Sequence, residues 1–350
     1  MTYSLEQDLN HVLTHSGCVW ESLRDQQIFI AGGTGFVGTW LVESFVHANE
    51  VLGLNARAVL LTRNPEAFRH KAPHAGNHPS IHLLSGTAAS FEFPKGEFPF
   101  VIHAATEKSF APTLEEPAGT FENDLEITRH LLDFARARGT RRFLFTSSGA
   151  AYGRQPSDLS HIPEDYPGAP LTVDFTSAYG QAKRASEFLC TMYSRQFGFD
   201  VIVTRLFAFA GPYLPLDLNF AIGNFVRDVL RGGPIRIAGD GTPYRSYLYA
   251  ADLAIWLWTL LIRGQSARLY NVGSADSVTI AELARLVVGN TVPDTAIEIA
   301  CKPVSGVPAS RYVPAVARVR EEFGLQQIIP IQEQIRRMYH WNKQNSLQSV

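Results

Sequence analysis

Residues 28–45 read IFIAGGTGFVGTWLVESF: a short apolar run, a turn holding Gly32, Gly35 and Gly38, then an amphipathic stretch. The order strand, glycine turn, helix strongly restricts the fold. Glycine in such a turn allows a tight bend, lets backbone approach a pyrophosphate, and lets helix and strand pack closely. The helix start then offers unpaired N–H groups to phosphate oxygens. The same alternation continues downstream. RAVLLTRN, FPFVIHAA, RRFLFTSSG and DVIVTRLF are short runs rich in Val, Ile, Leu and Phe, separated by helical patterns such as EITRHLLDFARARG. Apolar strands alternating with helices imply βαβ units and a parallel sheet covered on both faces. The expected fold is therefore α/β: a doubly wound, Rossmann-type parallel sheet with a smaller C-terminal substrate-binding lobe.

From about Gly211 the chain becomes rich in Gly, Pro and aromatics, as in RGGPIRIAGDGTPYRSYLY, which marks loops and short strands. The expected layout is a helical extension over 1–25, a dinucleotide domain over 26–210, and a lobe over 211–345 with some segments returning to the first core. At 350 residues the chain can build both. A formal net charge of −2 and no long Lys/Arg run argue against a nucleic-acid partner. Three widely separated cysteines (Cys18, Cys190, Cys301) lack metal spacing and read as buried thiols in a reducing compartment. No other residue set has metal spacing. The N-terminus is acidic and only weakly apolar, unlike a signal peptide. LAIWLWTLLIRG is too short to span a bilayer and reads as a buried helix, so a cytoplasmic protein without membrane contact is expected.

The second strand ends in Thr62-Arg63-Asn64, where an NAD binder usually places an acidic residue for the ribose. Arg63 favours the 2′-phosphate of NADP, whereas an arginine that merely stacks on adenine or lies in solvent would not. Further on, RRFLFTSS carries Ser147 and Ser148 to the C-terminal end of a strand, where ligands bind in parallel sheets. Tyr179 and Lys183 follow in TSAYGQAKRASEF, one helical turn apart on one face. A phenol with a pKa near ~10 needs a nearby positive charge to act as a general base at neutral pH.

Taken together and in order, these motifs resemble the extended short-chain dehydrogenase/reductases, in particular the NAD-dependent epimerase/dehydratase group acting on nucleotide sugars. G-x-x-G-x-x-G at Gly32–Gly38, HAA at His103–Ala105, Asn123, TSSGAAYG, YGQAK, RSYLYAADLA and YNVGSADSVTIAEL carry the likeness over about residues 26–290. The resemblance implies NAD(P)(H) held by Gly32, Gly35, Phe36, Val37, Gly38, Arg63, Ala104, Ala105, Asn123, Tyr179 and Lys183. It implies Tyr179 as acid/base, Lys183 as its cation, and Ser148 as the hydroxyl on the same substrate oxygen, with Ser147 the alternative. It implies Arg245 on the nucleotide diphosphate and Asn219 near the sugar–phosphate, and a homodimer.

Departures bear on the reaction. The 4,6-dehydratases that this chain resembles carry an Asp-Glu pair after the catalytic Ser/Thr, and the decarboxylases a Glu; here stand Gly149 and Ala150. Ala208 and Phe209 replace a polar sugar-contacting stretch, which would suit a deoxy sugar. Gly86-Thr87 replaces the Gly-Asp at the adenine. The expected activity is hydride transfer at a hexose carbon, C4, of a nucleoside diphosphate sugar, as a 4-epimerase or a 4-keto-6-deoxysugar reductase. A 4,6-dehydratase or decarboxylase with an atypical acid/base, and a non-catalytic NAD(P)-binding sensor or scaffold, are the alternatives. His103 reads as a core histidine bonded to backbone; His161 and Glu164 read as solvated loop residues, with a place at the edge of the substrate cleft the alternative.

Overall fold

The computed structural model describes residues 3–106, 116–218 and 220–348. Seven strands form the central sheet: β1 (Gln27–Ala31), β2 (Arg57–Thr62), β3 (Ile81–Ser85), β4 (Phe100–His103), β5 (Arg142–Ser148), β6 (Asp200–Leu206) and β7 (Arg268–Val272). Their order is β7-β6-β5-β4-β1-β2-β3, and every pairing is parallel. Chain direction across the sheet reverses between β1 and β4, which opens a crevice at their C-terminal ends.

Side chains along β1 alternate between two cores, as a two-residue period requires. Ile28 and Ile30 join Trp20, Trp40, Phe45 and Trp258 on one face; Phe29 and Ala31 join Phe98, Phe134, Phe143 and Val201 on the other. The first face is covered by helices Phe36–Leu52 and Ala250–Arg263, the second by Pro117–Ala137 and Ala178–Phe197. The apolar LAIWLWTLLIRG segment lies in the first of these covers, buried along nearly its whole length. No described helix is long and apolar enough to cross a membrane.

Helix Leu5–His15 packs against Ala250–Arg263, and its buried Asp8 accepts hydrogen bonds from Tyr3 and Tyr249 and pairs with Arg337. A separate core of Leu214, Ile222, Phe225, Leu283, Val287, Ile335 and Met338 supports the C-terminal lobe. There, strand Tyr244–Ser246 runs between Ser277–Thr279 and Arg311–Tyr312. The cysteines correct one expectation. Cys190 alone is buried, Cys18 and Cys301 are exposed, and all three are free thiols.

Candidate active site

The glycine turn is shaped by contacts that only hydrogen can meet. Gly32 has φ +82°, and a Cβ there would lie 2.3 Å from the Ala104 carbonyl oxygen. A Cβ on Gly38 would lie 2.1 Å from the Gly32 carbonyl oxygen. These two positions close the turn and press it against Ala104 and Ala105 at the end of β4. Gly35 differs: its Cβ would meet only the Gly32 oxygen, at 3.4 Å, so that side of the turn is open to a ligand. Helix Phe36–Leu52 starts there, and the N–H groups of Phe36, Val37 and Gly38 point out of its first turn without a helical acceptor. An open cradle at a helix N-terminus fits a dinucleotide pyrophosphate.

Lys71 reaches back to this turn, donating to the Thr34 carbonyl at 2.9 Å and the Thr39 hydroxyl at 3.0 Å. Sequence reading missed it because it lies on another helix, Pro65–Lys71. Arg63 is exposed just past β2, and its neighbour Asn64 caps that helix by accepting from the Ala67 N–H at 3.0 Å.

The two serines ending β5 face opposite ways. Ser147 donates to Glu187 at 2.5 Å, and Glu187 is gripped by Arg205 at 2.8 and 2.6 Å. That buried cluster holds the strand end to helix Ala178–Phe197. Ser148 instead accepts from the Ala150 N–H at 3.1 Å and lies 3.5 Å from the Tyr312 hydroxyl. The helix bearing Tyr179 seats directly on this turn, because Gly180 leaves no room for a Cβ beside the Ala150 carbonyl, 2.6 Å away. Lys183 sits a turn further on, its ammonium 5.5 Å from the centroids of both the Tyr179 and Phe145 rings.

The Lys183 ammonium pairs with Asp124 at 3.0 Å, each side chain 2% exposed. Burial alone would lower its pKa; the Asp124 carboxylate outweighs this and holds it above the ordinary lysine value. Asp124 follows Asn123 on helix Pro117–Ala137, and Asn123 itself is half-buried. His103 is buried as expected, but its partner is the Thr128 hydroxyl at 3.1 Å rather than backbone. Burial, with Lys183 nearby, pushes its pKa well below the usual histidine range. His161 and Glu164 are not solvated loop residues: His161 bonds the Ala275 carbonyl at 2.9 Å, and Glu164 accepts from the Asn271 N–H at 3.2 Å.

From the C-terminal lobe, Arg245 lies on the strand beside Tyr312, its guanidinium 6.0 Å from the Tyr312 ring, and donates to the Tyr244 carbonyl. Asn219 lies outside the described residues. Tyr312 was not legible as a site residue, since it is distant in sequence and belongs to a two-residue strand.

A profile of the NAD dependent epimerase/dehydratase family matches residues 28–273. Among curated proteins, the chain is 27% identical to UDP-glucuronic acid decarboxylase 1 of Arabidopsis thaliana over 313 residues, 89% of this chain and 68% of that one. It is 24% identical to UDP-glucuronic acid decarboxylase 1 of Xenopus tropicalis, covering 90% of this chain and 72% of the relative. It spans 64% of the length of decarboxylases 4 and 2 of Arabidopsis thaliana. The fold resembles that of UDP-glucose 4-epimerase from Thermotoga maritima, with TM-score 0.75, 20% identity, and 92% and 100% of the two chains covered. It also resembles the NAD-bound dTDP-glucose 4,6-dehydratase of Streptomyces venezuelae, with TM-score 0.78, 20% identity, and 92% and 98% covered. With that match over most of its length, the chain belongs to the NAD-dependent epimerase/dehydratase family of extended short-chain dehydrogenase/reductases, as an NAD(P)-binding enzyme.

Proposed function

We propose that this enzyme acts on a nucleoside diphosphate sugar at a hexose carbon, C4, as a 4-epimerase or a 4-keto-6-deoxysugar reductase. One observation carries the reading. Ser148 ends β5 at the turn on which the Tyr179 helix seats, with Lys183 5.5 Å from the Tyr179 ring, while Gly149 and Ala150 follow the serine where a dehydrating site needs proton-transferring side chains. Tyr179 moves the proton of the sugar hydroxyl. Ser148 holds the same oxygen, and Lys183 supplies positive charge beside the phenol. Bound NAD(P), held by the Gly32–Gly38 turn with Ala104, Ala105 and Asn123, supplies the hydride acceptor or donor. Arg63 past β2 favours the 2′-phosphate of NADP. Arg245 takes the nucleotide diphosphate, since a planar guanidinium suits bidentate phosphate contact, and Asn219 serves the sugar–phosphate end.

The identity to UDP-glucuronic acid decarboxylases favours a second reading, decarboxylation of a nucleotide uronate. Release of carbon dioxide from a UDP-uronate would establish it; sugar-product analysis with hexose and 4-keto substrates tests the first. The reading extends to a cytoplasmic homodimer. Leu171, Phe188 and Met192 are 69%, 66% and 41% exposed on and beside the catalytic helix, and a second copy would cover them. Sedimentation of the wild type against Phe188→Glu tests this.

A further inference from the structure

A cavity of about 420 Å³ lies between helix Ala178–Phe197 and the β6–β7 edge of the sheet. Neither the glycine turn nor Ser148, Tyr179 or Lys183 lines it. Its size falls within the range of small-molecule sites, about 300–1,000 Å³. The charged side chains around it are unevenly matched. Glu187 is fully committed, accepting from Ser147 at 2.5 Å and from Arg205 at 2.8 and 2.6 Å. Glu164 accepts from the Asn271 N–H at 3.2 Å and lies 4.0 Å from the Arg318 guanidinium. The donors are in excess. Arg268 bonds Glu322 through Nη2, but its Nε–H is buried and has no acceptor among the described residues. Among the same residues Arg184 donates only through Nη1, to the carbonyls of Gly168 at 2.9 Å and Ala151 at 3.4 Å. A buried guanidinium donor left without a partner is costly, and an entering oxyanion relieves it. An entering cation meets carboxylates that are already paired. The remaining wall is largely apolar, with Tyr166, Val203 and Leu269. The Tyr166 ring is held close over its own loop: a Cβ on Gly168 would lie 2.0 Å from it. Phe188 is exposed at the mouth and is shared with the face assigned above to a second copy.

We propose that this cavity is a second ligand site, taking a small organic oxyanion, a phosphate monoester or carboxylate carried on an aromatic ring. The oxyanion is drawn to the Arg184 and Arg268 guanidiniums, and the ring lies along Tyr166 and Leu269. The site is tied to the catalytic turn by two contacts. Arg184 directly follows Lys183 and holds the Ala151 carbonyl in the turn after Ser148. Glu187 holds Ser147, the neighbour of Ser148. An anion that draws on Arg184 therefore also acts on the turn where the Tyr179 helix seats. Occupancy of the cavity and dinucleotide binding are then linked, each changing the other by the same factor.

The test is calorimetric titration of the full chain with phenyl phosphate and with benzoate at constant ionic strength. Wild type is compared with Arg184→Gln, with Thr191→Trp, whose larger side chain occupies the cavity, and with Arg245→Gln, which leaves the cavity intact. Thermal midpoints near wild type establish that the variants are folded. The expected result is one site per chain for at least one probe. Its affinity falls about tenfold or more in Arg184→Gln, as loss of a charge-assisted bond implies, and binding is abolished in Thr191→Trp. Arg245→Gln binds as wild type does. Phenyl phosphate binding alone assigns the site to phosphate monoesters, and benzoate binding alone to carboxylates. NAD(P)H affinity measured with the cavity filled by the probe shifts about fivefold or more. Failure of both probes to bind, or binding that survives in Thr191→Trp, would overturn the site and leave the proposed reaction untouched. Binding lost in Arg245→Gln would place the anion in the crevice and overturn it equally. An unshifted NAD(P)H affinity would overturn the link to the catalytic turn.

Discussion

The ammonium of Lys183 and the carboxylate of Asp124 stand 3.0 Å apart in a pocket that leaves each side chain 2% exposed. A buried lysine without a partner loses its charge, because desolvation penalises the ammonium. Asp124 keeps the cation beneath Tyr179. On the proposed reading, the carboxylate therefore serves the acid/base pair through the lysine.

Asp124→Asn leaves the Lys183 charge buried and unpaired, and the expected loss of stability is about 3–5 kcal/mol at neutral pH. The pH dependence changes sign as well. In the wild type the Lys183 pKa is raised above 10.5, so its contribution is intact at neutral pH and is lost only as pH rises through that elevated value. In the variant, burial depresses the pKa. The unfolded chain then binds more protons between the depressed value and about 10.4, and stability rises with pH across that window. Denaturant unfolding at pH 7 and 9 separates the two patterns.

Gly35→Ala and Gly38→Ala distinguish packing from ligand contact. An alanine at 38 would meet the Gly32 carbonyl at 2.1 Å, so the turn must distort and the protein loses stability. At 35 the nearest atom is 3.4 Å away, so the protein folds normally while dinucleotide affinity falls. Thermal midpoints with and without added NAD and NADP measure both effects.

Ser147→Ala and Ser148→Ala should also part company. Removing the Ser147 hydroxyl takes a donor from Glu187, destabilising by about 1–3 kcal/mol with kcat little changed. Removing the Ser148 hydroxyl lowers kcat by about tenfold or more, with stability near wild type. Steady-state kinetics alongside unfolding curves check the division.

Much of this was legible in the sequence because the parallel sheet writes itself into local pattern. Each strand is a short run of large apolar residues, and Gly32, Gly35 and Gly38 sit between the first strand and its helix. Tyr179 and Lys183 were singled out not by helical spacing alone but by that spacing together with the glycine turn and the serines ending the strand before them. Ser148 was preferred to Ser147 on the resemblance; that Ser147 turns into the Glu187–Arg205 cluster is a contact no local pattern reveals. Asp124, Lys71 and Tyr312 were not legible. Each meets the site from a different element, and no local spacing connects Tyr312 to Ser148 or Asp124 to Lys183. His103 was read as core, yet its partner Thr128 lies on a helix rather than on neighbouring backbone.

Arg63→Ala tests the cofactor assignment. If the guanidinium binds a 2′-phosphate, NADP affinity falls by about 10–100-fold, as loss of a charge-assisted bond implies, while NAD affinity is little changed. Equal effects on the two dinucleotides would place Arg63 at the adenine or in solvent.

The most direct measurement follows the absorbance of reduced nicotinamide and the sugar product when wild type and Tyr179→Phe are mixed with NAD(P)(H) and a panel of UDP- and dTDP-sugars. The account predicts hydride exchange with at least one hexose or 4-keto sugar in the wild type, product altered at C4, and a fall of about a hundredfold or more in Tyr179→Phe with dinucleotide binding retained. Turnover that survives in Tyr179→Phe, or a product altered only by loss of carbon dioxide or water, would contradict it.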